Sequence, residues 1–290
     1  MPELPEVEVV KRSLENDILK FSVKDIEIKD ANLRYKVKRK DIIKIIGLKI
    51  LSIKRRSKYL IFYFTHEVVM IAHLGMTGKF IIENKKNIKK KTSFYYKLDN
   101  TTDAKHDRIV FHFINGIKLI YNDVRKFGFI KFDSLNKLKN NSHLKILGPE
   151  PLKNLFNFQY FKSYIKGKKR IIKDLLMDQK FVSGLGNIYV NEILFYSRVK
   201  PDKKINKLLD LEIKNILINT KKILKKAIIY GGSSIKNFSS SSGIFGSYQQ
   251  HFAVYGRKGN ICSNTDCKER IKKIVISNRA SFFCPKCQKY

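Results

Sequence analysis

Residues 262–287 read Cys-Ser-Asn-Thr-Asp-Cys, then sixteen residues, then Cys-Pro-Lys-Cys, and this stretch decides the fold of the C-terminal part of the chain. It holds all four cysteines of the sequence, Cys262, Cys267, Cys284 and Cys287. Two close pairs of thiolates suit a tetrahedral Zn²⁺ ion, and each pair can lie on one turn of a β-hairpin. Because sulfur would fill all four coordination positions, the predicted zinc ion is structural. The alternative is four unligated thiols that share this spacing by coincidence.

The segment between the two cysteine pairs is predicted to form the hairpin itself. Lys272–Ser277 and Ala280–Phe283 have the composition of two strands, and Asn278-Arg279 is predicted to form the tip. An arginine at an exposed tip is suited to reach phosphates or a groove of a nucleic acid. A solvated turn residue is the alternative for Arg279.

A glycine-rich corner precedes this finger. Residues 181–189 read Phe-Val-Ser-Gly-Leu-Gly-Asn-Ile-Tyr and lie between two predicted helices. The glycines permit close backbone approach, and the following helix offers N-terminal N–H groups to an anion. Asn187 could donate to the same phosphate, which predicts an anchor for a DNA backbone; a plain helical corner is the alternative.

The first half of the chain is rich in β-forming runs, and the second half is helical. Asn115-Gly116 separates two of the runs as a hairpin turn, so the first half is predicted to be a largely antiparallel β-sandwich. The polar segments Glu83–Lys91 and Asn100–Lys105 are predicted to be loops between strands. The predicted strands are Ser22–Ile28, Lys49–Ile53, Tyr59–Phe64, Val68–His73, Lys79–Ile82, Ser93–Leu98, Arg108–Phe113, Lys118–Tyr121 and Gly128–Phe132. The predicted helices are Pro5–Asp17, Phe156–Lys166, Ile171–Met177, Ile188–Tyr196 and Leu208–Tyr230.

The chain begins Met1-Pro2-Glu3-Leu4-Pro5-Glu6. Removal of Met1 would make Pro2 a terminal secondary amine, with the carboxylates of Glu3 and Glu6 nearby in sequence. An amine beside carboxylates is suited to covalent catalysis through an iminium ion. A disordered tail is the alternative, since most termini are poorly ordered.

Two glycine-flanked turns each carry a bulky side chain. His73-Leu-Gly-Met76 and Asp123-Val-Arg125-Lys-Phe127 each follow a predicted strand. A lone Met or Phe is usually a core residue. Together with Arg125, however, Met76 and Phe127 are the kind of side chains that a protein inserts into a duplex to fill an emptied base position.

The composition favours a nucleic-acid partner. The chain has 290 residues, enough for two domains, and a formal net charge of +35. Such a charge attracts polyanions. However, 48 of the 60 basic residues are lysine, a bias that an AT-rich genome produces without functional demand. No apolar run is long enough to span a membrane, and the acidic start is unlike a signal peptide, so we expect a cytoplasmic, nucleoid-associated protein that is monomeric.

Taken together, these motifs resemble the bacterial formamidopyrimidine-DNA glycosylases, part of a superfamily that also contains endonuclease VIII. The resemblance covers nearly the whole chain and is carried by motifs in the family's order. They are the Pro-Glu-Leu-Pro-Glu start, Arg-Arg-x-Lys-Tyr-Leu at 55–60, His-Leu-Gly-Met at 73–76, Lys105-His106-Asp107, Asp-x-Arg-Lys-Phe-Gly at 123–128, Gly-Leu-Gly-Asn-Ile-Tyr at 184–189, Tyr255-Gly256-Arg257-Lys258-Gly259, and the cysteine tail with Asn278-Arg279-Ala280.

The resemblance implies an α+β fold. It consists of an N-terminal antiparallel β-sandwich with flanking helices (1–133), a linker (134–151), a helix–two-turn–helix DNA-binding domain (152–250) and a zinc-ribbon β-hairpin finger (251–290). It also implies a base-excision enzyme that acts on damaged double-stranded DNA, with oxidised purines as substrates and one structural Zn²⁺.

The resemblance implies a role for each matching residue. Pro2 would be the Schiff-base nucleophile after Met1 removal, Glu3 a proton donor, and Glu6 a supporting residue. Lys58 and Arg279 would donate protons for β- and δ-elimination, respectively. The implied DNA contacts are His73, Met76, Arg125, Phe127, Asn187, Tyr255, Lys58 and Arg279, and Ser233–Tyr248 is the implied lesion-binding loop.

Two other functions compete with this one. An enzyme of the endonuclease VIII type prefers oxidised pyrimidines and shares the terminal Pro-Glu and the zinc finger. The Leu4-Pro5-Glu6-Val7-Glu8 start and the Met76, Arg125 and Phe127 set look like the formamidopyrimidine branch instead. A catalytically inactive DNA-binding relative is the second alternative, and the intact Pro2 and Glu3 count against it.

Overall fold

The computed structural model describes residues 1–84, 89–91, 104–233 and 247–289. The predicted strand Ser93–Leu98 and nearly all of the predicted lesion loop, Ser233–Tyr248, lie outside these residues. The chain divides into two compact units, one of residues 1–145 with 231–246 and one of residues 146–230 with 247–290. The predicted domain boundaries at 133, 151 and 250 stay a prediction.

The first unit is an antiparallel β-sandwich, as predicted. One sheet has the strand order β2-β3-β4-β9 and the other β1-β7-β8-β5-β6, and every pairing between these strands is antiparallel. The strands are β1 (Val23–Ile28), β2 (Ile50–Arg56), β3 (Tyr59–Phe64), β4 (Val68–His73), β5 (Lys79–Glu83), β6 (Lys89–Lys91), β7 (Asp107–Phe113), β8 (Lys118–Asn122) and β9 (Phe129–Ser134).

The core of the sandwich lies between the two sheets and under one helix. Phe62 of β3 and Phe80 of β5 are fully buried, and their ring centroids are 5.8 Å apart. Helix α1 (Leu4–Ile18) buries Val7, Val10 and Leu14 against the same core. These residues recur at three- and four-residue intervals, which places them on one face of the helix. The core therefore fixes the start of the chain, because α1 begins at the fourth residue.

The prediction for Glu83–Lys91 was partly wrong. Glu83 belongs to β5, and Lys89–Lys91 pair with Ile81–Glu83 as β6 at the edge of the sheet. A run of lysines reads as a solvated loop, but edge strands also tolerate lysine, which discourages edge-to-edge association. A short helix, α2 (Arg39–Ile42), was not predicted.

The second unit is helical, with a small two-stranded hairpin. Its helices are α3 (Phe158–Ile165), α4 (Ile172–Met177), α5 (Asn187–Tyr196) and α6 (Asp210–Ile229), and its strands are β10 (Lys272–Ile276) and β11 (Arg279–Phe283). The predicted helices and strands lie within two residues of these bounds. The α+β fold class is thereby confirmed.

The predicted hairpin tip was displaced by one residue. Arg279 pairs with Ile276 as the first residue of β11, and the tip is Ser277-Asn278. Both tip residues have positive φ, 47° and 58°, as a two-residue type I′ turn requires. Asn tolerates this conformation better than Arg, which explains the register.

Candidate active site and DNA interface

The start of α1 holds two buried carboxylates. Glu3 is the N-cap, and its backbone N–H donates to Glu6 Oε2 at 2.9 Å. This bond fixes the Glu6 side chain at the start of the helix. The side chains of Glu3 and Glu6 are 3% and 1% exposed.

Glu6 also binds a distant segment of its own unit. Its Oε1 accepts from the backbone N–H and from the hydroxyl of Ser233, at 2.9 and 3.1 Å. A Cβ on Gly232, which has φ +80°, would lie 3.0 Å from the Glu6 carboxylate. Glu6 therefore holds Ser233, the first residue of the predicted lesion loop, against the start of α1, which is a positioning role.

The terminal amine lies in a partly desolvated and charged environment. Burial lowers the pKa of the Met1 α-amino group; the charge of Glu3 opposes this effect, and the charge of Lys58 adds to it. Pro2 is buried and its nitrogen forms the peptide bond to Met1. Loss of Met1 would leave the Pro2 amine one residue further into this environment.

Lys58 is fixed by the hairpin between β2 and β3. Ser57-Lys58 is the two-residue turn between the paired Arg56 and Tyr59, and Ser57 has φ +56°. The Lys58 side chain is 5% exposed. The lysine of the basic motif at 55–60 is therefore buried and not part of a solvated surface.

An arginine ties this turn to α1. Arg55 Nε donates to Glu8 at 2.9 Å, and Arg55 Nη1 donates to the carbonyl of Ser57 at 3.0 Å. Burial raises the pKa of Glu8, but the hydrogen bond and charge of Arg55 outweigh it and lower the pKa overall. Glu8 therefore stays ionised, and the pair holds Lys58 beside the first turn of the helix.

His73, at the end of β4, is held as a neutral ring. Its Nδ1 accepts from the Gly75 N–H at 3.0 Å, and the ring stacks on Phe129 at 5.7 Å with planes 14° apart. Burial, followed by the charge of Lys58, lowers its pKa to about 4. With Nδ1 accepting, the proton resides on Nε2, so His73 offers a hydrogen-bond donor at neutral pH.

Three predicted wedge residues are exposed on neighbouring turns. Met76 and Phe127 are 41% and 44% exposed, although both are large apolar side chains. The Arg125 guanidinium lies over the Phe127 ring at 4.5 Å. Arg34, which is not among the predicted site residues, lines a cavity of about 490 Å³ with Arg125, Lys126 and Phe127. The core interpretation of Met76 and Phe127 is thus wrong, because both side chains lie at the surface.

In the second unit, the glycine-rich corner binds the hairpin. The Gln179 side chain stabilises the corner: it accepts from the Gly184 N–H at 2.8 Å and donates to the Leu185 carbonyl at 2.9 Å. Asn187 then begins α5 and donates one amide hydrogen to the carbonyl of Ala280 at 3.0 Å. The side chain predicted to bind phosphate therefore also holds β11.

Two further buried polar residues hold β11, and neither is among the residues predicted from the sequence. Lys173 Nζ donates to the Ala280 carbonyl at 2.9 Å and to Ser281 Oγ at 2.6 Å. Asn191 accepts from the Phe282 N–H at 2.6 Å. Burial lowers the pKa of Lys173 to about 8. A lysine or asparagine within an apolar helical run is the pattern that could have revealed them.

Arg279 itself is exposed. It lines a cavity of about 400 Å³ together with Arg170, Asp174 and Ser277. Ser277 donates to Asp174 at 2.9 Å, and Arg170 is paired with Asp178 at 2.7 Å. The hairpin is therefore bound to α4 beside the arginine, whose side chain reaches solvent.

Tyr255 is held through its backbone. Its N–H donates to the fully buried Glu192, which also accepts from Ala253 and Val254 at 2.8–3.0 Å. The Tyr255 ring packs edge-on against Phe282 at 5.3 Å. Glu192 was not predicted, although a carboxylate inside the apolar run Ile188–Phe195 is unusual.

The four cysteines form one cluster with the geometry of a metal site. Their Sγ atoms all lie within 4.8 Å of one another. The Cys262–Cys287 and Cys267–Cys284 sulfur pairs are 3.8 and 3.6 Å apart. Four sulfurs about 2.3 Å from a tetrahedral zinc ion would be about 3.8 Å apart. The cluster therefore fits one metal ion with four thiolate ligands.

Comparisons with known proteins agree with this site. The family model described as the formamidopyrimidine-DNA glycosylase N-terminal domain matches residues 1–130, and the H2TH domain model of the same family matches residues 147–239. Formamidopyrimidine-DNA glycosylase of Rickettsia bellii is 40% identical over 289 residues, covering 100% of both chains. That of Rickettsia africae is 38% identical, covering 99% of both.

The chain belongs to the formamidopyrimidine-DNA glycosylase family. Family membership makes it a DNA glycosylase of DNA repair, which confirms the resemblance.

Solved structures of the family share the fold over the full chain. A complex of a mutant of the Lactococcus lactis enzyme with DNA containing Fapy-dG has a TM-score of 0.85 and 35% identity, covering 100% of both chains. A complex of the Lactococcus lactis enzyme with abasic-site DNA has a TM-score of 0.84 and 35% identity, covering 99% of this chain and 100% of that one. Among the described residues, no helix has the length and apolar character needed to cross a bilayer.

Proposed function

We propose that the protein is a bifunctional DNA glycosylase and abasic-site lyase of base-excision repair. It binds damaged duplex DNA in the bacterial cytoplasm, in association with the nucleoid, and removes oxidised purines such as 8-oxoguanine and formamidopyrimidines. It then cuts the strand by β- and δ-elimination. The observation that supports this proposal most strongly is the desolvated terminal amine beside the buried Glu3 and Lys58.

Pro2 is the nucleophile once Met1 is removed. An α-amine has an ordinary pKa of about 7.7–8.0, against about 10.4 for lysine, so more of it is neutral at pH 7. Burial at this end of α1, as seen for the Met1 amine, increases that fraction further. The Pro2 nitrogen donates its electron pair to C1′, and the bond from C1′ to the base breaks as the base leaves with its electron pair.

Glu3 protonates the sugar ring oxygen, which opens the ring and gives an iminium ion between Pro2 and C1′. The iminium of a secondary amine has no N–H to lose, so it stays cationic and withdraws electrons. Proton removal at C2′ then expels the 3′ phosphate, and a second elimination expels the 5′ phosphate. Lys58 and Arg279 are the proposed proton donors for the two eliminations.

The remaining predicted residues bind and shape the DNA. Met76, Arg125 and Phe127 fill the space of the everted nucleotide. His73, Asn187, Tyr255, Lys58 and Arg279 contact the backbone. Cys262, Cys267, Cys284 and Cys287 hold one structural Zn²⁺, which keeps the finger folded.

Single-turnover cleavage of two duplexes tests the proposal against its alternatives. One duplex carries 8-oxoguanine opposite cytosine and the other carries thymine glycol. We expect faster cleavage of the first, with a one-nucleotide gap and phosphate at both ends. Faster cleavage of thymine glycol would favour an enzyme of the endonuclease VIII type, and a gel shift without cleavage would indicate an inactive relative.

A further inference from the structure

The two turns that carry the wedge residues are joined to each other. The Met76 turn (Leu74–Gly78) joins β4 to β5, and the Arg125 turn (Asp123–Gly128) joins β8 to β9. Their backbones touch: a Cβ on Gly75, which has φ +60°, would overlap the backbone of Phe127 and Gly128. Glycine is therefore required for the two turns to approach this closely.

One hydroxyl bridges the turns. Thr77 Oγ1 donates to Asp123 Oδ1, and it accepts from the Arg125 N–H at 2.9 Å. The bridge thus contacts the backbone of the wedge arginine itself.

Asp123 is the centre of this network. Its side chain is fully buried, and its Oδ2 accepts from the Gly128 N–H at 2.8 Å, so each carboxylate oxygen has a donor from one of the two turns. A buried carboxylate is costly without such partners. Arg108 Nε donates to the Asp123 carbonyl at 2.9 Å, and the Asp123 N–H donates to the His106 carbonyl at 3.0 Å, which anchors the turn to β7 and the residue before it.

We propose that Thr77 and Asp123 are positioning residues that lock the Met76 turn to the Arg125 turn, so that Met76, Arg125 and Phe127 enter the duplex as one preformed unit. This inference rests on the proposed function. Two independent turns would each lose conformational freedom on inserting, whereas a locked pair is ordered before it meets DNA. This smaller loss of conformational entropy matters most where a stacked base must be displaced, since unstacking costs a few kcal/mol.

Thr77→Val tests the lock because valine has nearly the same shape without the hydroxyl, and Thr77→Ser is the matched control that keeps it. Single-turnover rates are measured on 8-oxoguanine opposite cytosine, where a base must be displaced, and on a preformed abasic site, where none is present. We expect Thr77→Val to slow the first reaction about ten-fold, as the loss of one or two hydrogen bonds would, and the second about two-fold or less. Thr77→Ser should keep both rates within about two-fold of wild type.

A second measurement separates locking from general damage. Met76→Ala and Phe127→Ala are combined in the wild-type and in the Thr77→Val background. If the turns are locked, Met76 and Phe127 are coupled. In the wild-type background, the fold-loss in rate of the double variant should then differ from the product of the two single fold-losses. In the Thr77→Val background, it should equal that product. If Thr77→Val does not fold, Asp123→Asn removes one carboxylate acceptor and takes its place.

Equal slowing of Thr77→Val on both duplexes, or no slowing on either, would overturn the lock. The same coupling between Met76→Ala and Phe127→Ala in the wild-type and Thr77→Val backgrounds would also overturn it. Failure of the proposed function would give a different result, because the wild-type protein itself would then leave 8-oxoguanine uncut. In that case the same comparison is made on the lesion that the wild-type protein does remove.

Discussion

Lys58 and Arg279 have the same proposed chemistry, proton donation during strand cleavage, yet the structure gives them opposite surroundings. Lys58 is 5% exposed and lies on a turn that Arg55 ties to α1. Arg279 is exposed, and the residues that fix its strand, Lys173 and Asn187, lie behind it. The first unit thus buries its proposed proton donors, Glu3 and Lys58, whereas the second unit buries Lys173 behind the hairpin and leaves the proposed proton donor Arg279 at the surface.

This contrast predicts the largest effect at the chain start. Glu3→Gln should lower the single-turnover rate of base excision by about 10²–10⁴-fold, because glutamine cannot donate the proton that opens the ring. The backbone N–H of residue 3 can still donate to Glu6 Oε2, so we expect α1 to keep its first turn. Glu15→Gln, on the same helix and paired with Lys11, is the matched control. A similar loss in both variants would point to helix damage instead.

Removal of the proposed zinc ion should affect the second unit alone. Chelation should unfold the finger and weaken DNA binding, because a structural zinc ion contributes free energy of folding. Fluorescence anisotropy of a labelled duplex, measured before and after chelation and after zinc is restored, gives the affinity. Unchanged affinity of the metal-free protein would contradict a role for the finger in DNA binding. It would also contradict the idea that the second unit exposes Arg279 to contact DNA.

The hydrogen bonds from the buried Lys173 to the strand that carries Arg279 should stabilise the fold. Lys173→Met should lower the free energy of unfolding by about 1–3 kcal/mol, since Ser281 and Ala280 lose a charged donor in a buried place. Denaturant titration measures this difference, and Lys169→Met, at an exposed position four residues earlier, is the control. A loss no larger than that of the control would mean that Lys173 does not hold the hairpin.

The smallest effect is a pH dependence in the first unit. The pKa of His73 is about 4 in the folded protein, below its ordinary value of 6.5, because burial disfavours the charged ring. Between these values the unfolded chain binds more protons, so the free energy of unfolding falls as the pH drops from 6.5 towards 4. We expect His73 to account for about 1–2 kcal/mol of the loss at pH 5, and His73→Gln should reduce that slope. An identical slope in the variant would show that His73 is not held neutral.

Much of the fold could be predicted because it depends on local patterns. The β-forming runs, the Asn115-Gly116 turn and the spacing within each cysteine pair are all local patterns, and each matches the structure. The position of Arg279 in the hairpin was missed by one residue, since the register depends on which residues tolerate positive φ. The insertion strand β6 was missed because its composition is that of a loop.

The site was harder to predict where it depends on distant pairs. The bonds from Glu6 to Ser233, from Lys173 to Ala280, and from Glu192 to Val254 join residues more than sixty positions apart. No local pattern encodes these partners. A sequence shows at most that Lys173 and Glu192 are charged residues within apolar runs, and tertiary packing then decides what satisfies them.

Borohydride reduction during reaction with an 8-oxoguanine:cytosine duplex tests the central claim, that the terminal amine of Pro2 is the nucleophile. Protein lacking Met1 is compared with protein that retains it, and the adduct is located by peptide mass spectrometry. We predict an adduct on Pro2 in the first protein and none in the second, where the Pro2 nitrogen is an amide. An adduct on Lys58, or equal trapping of both proteins, would contradict the account.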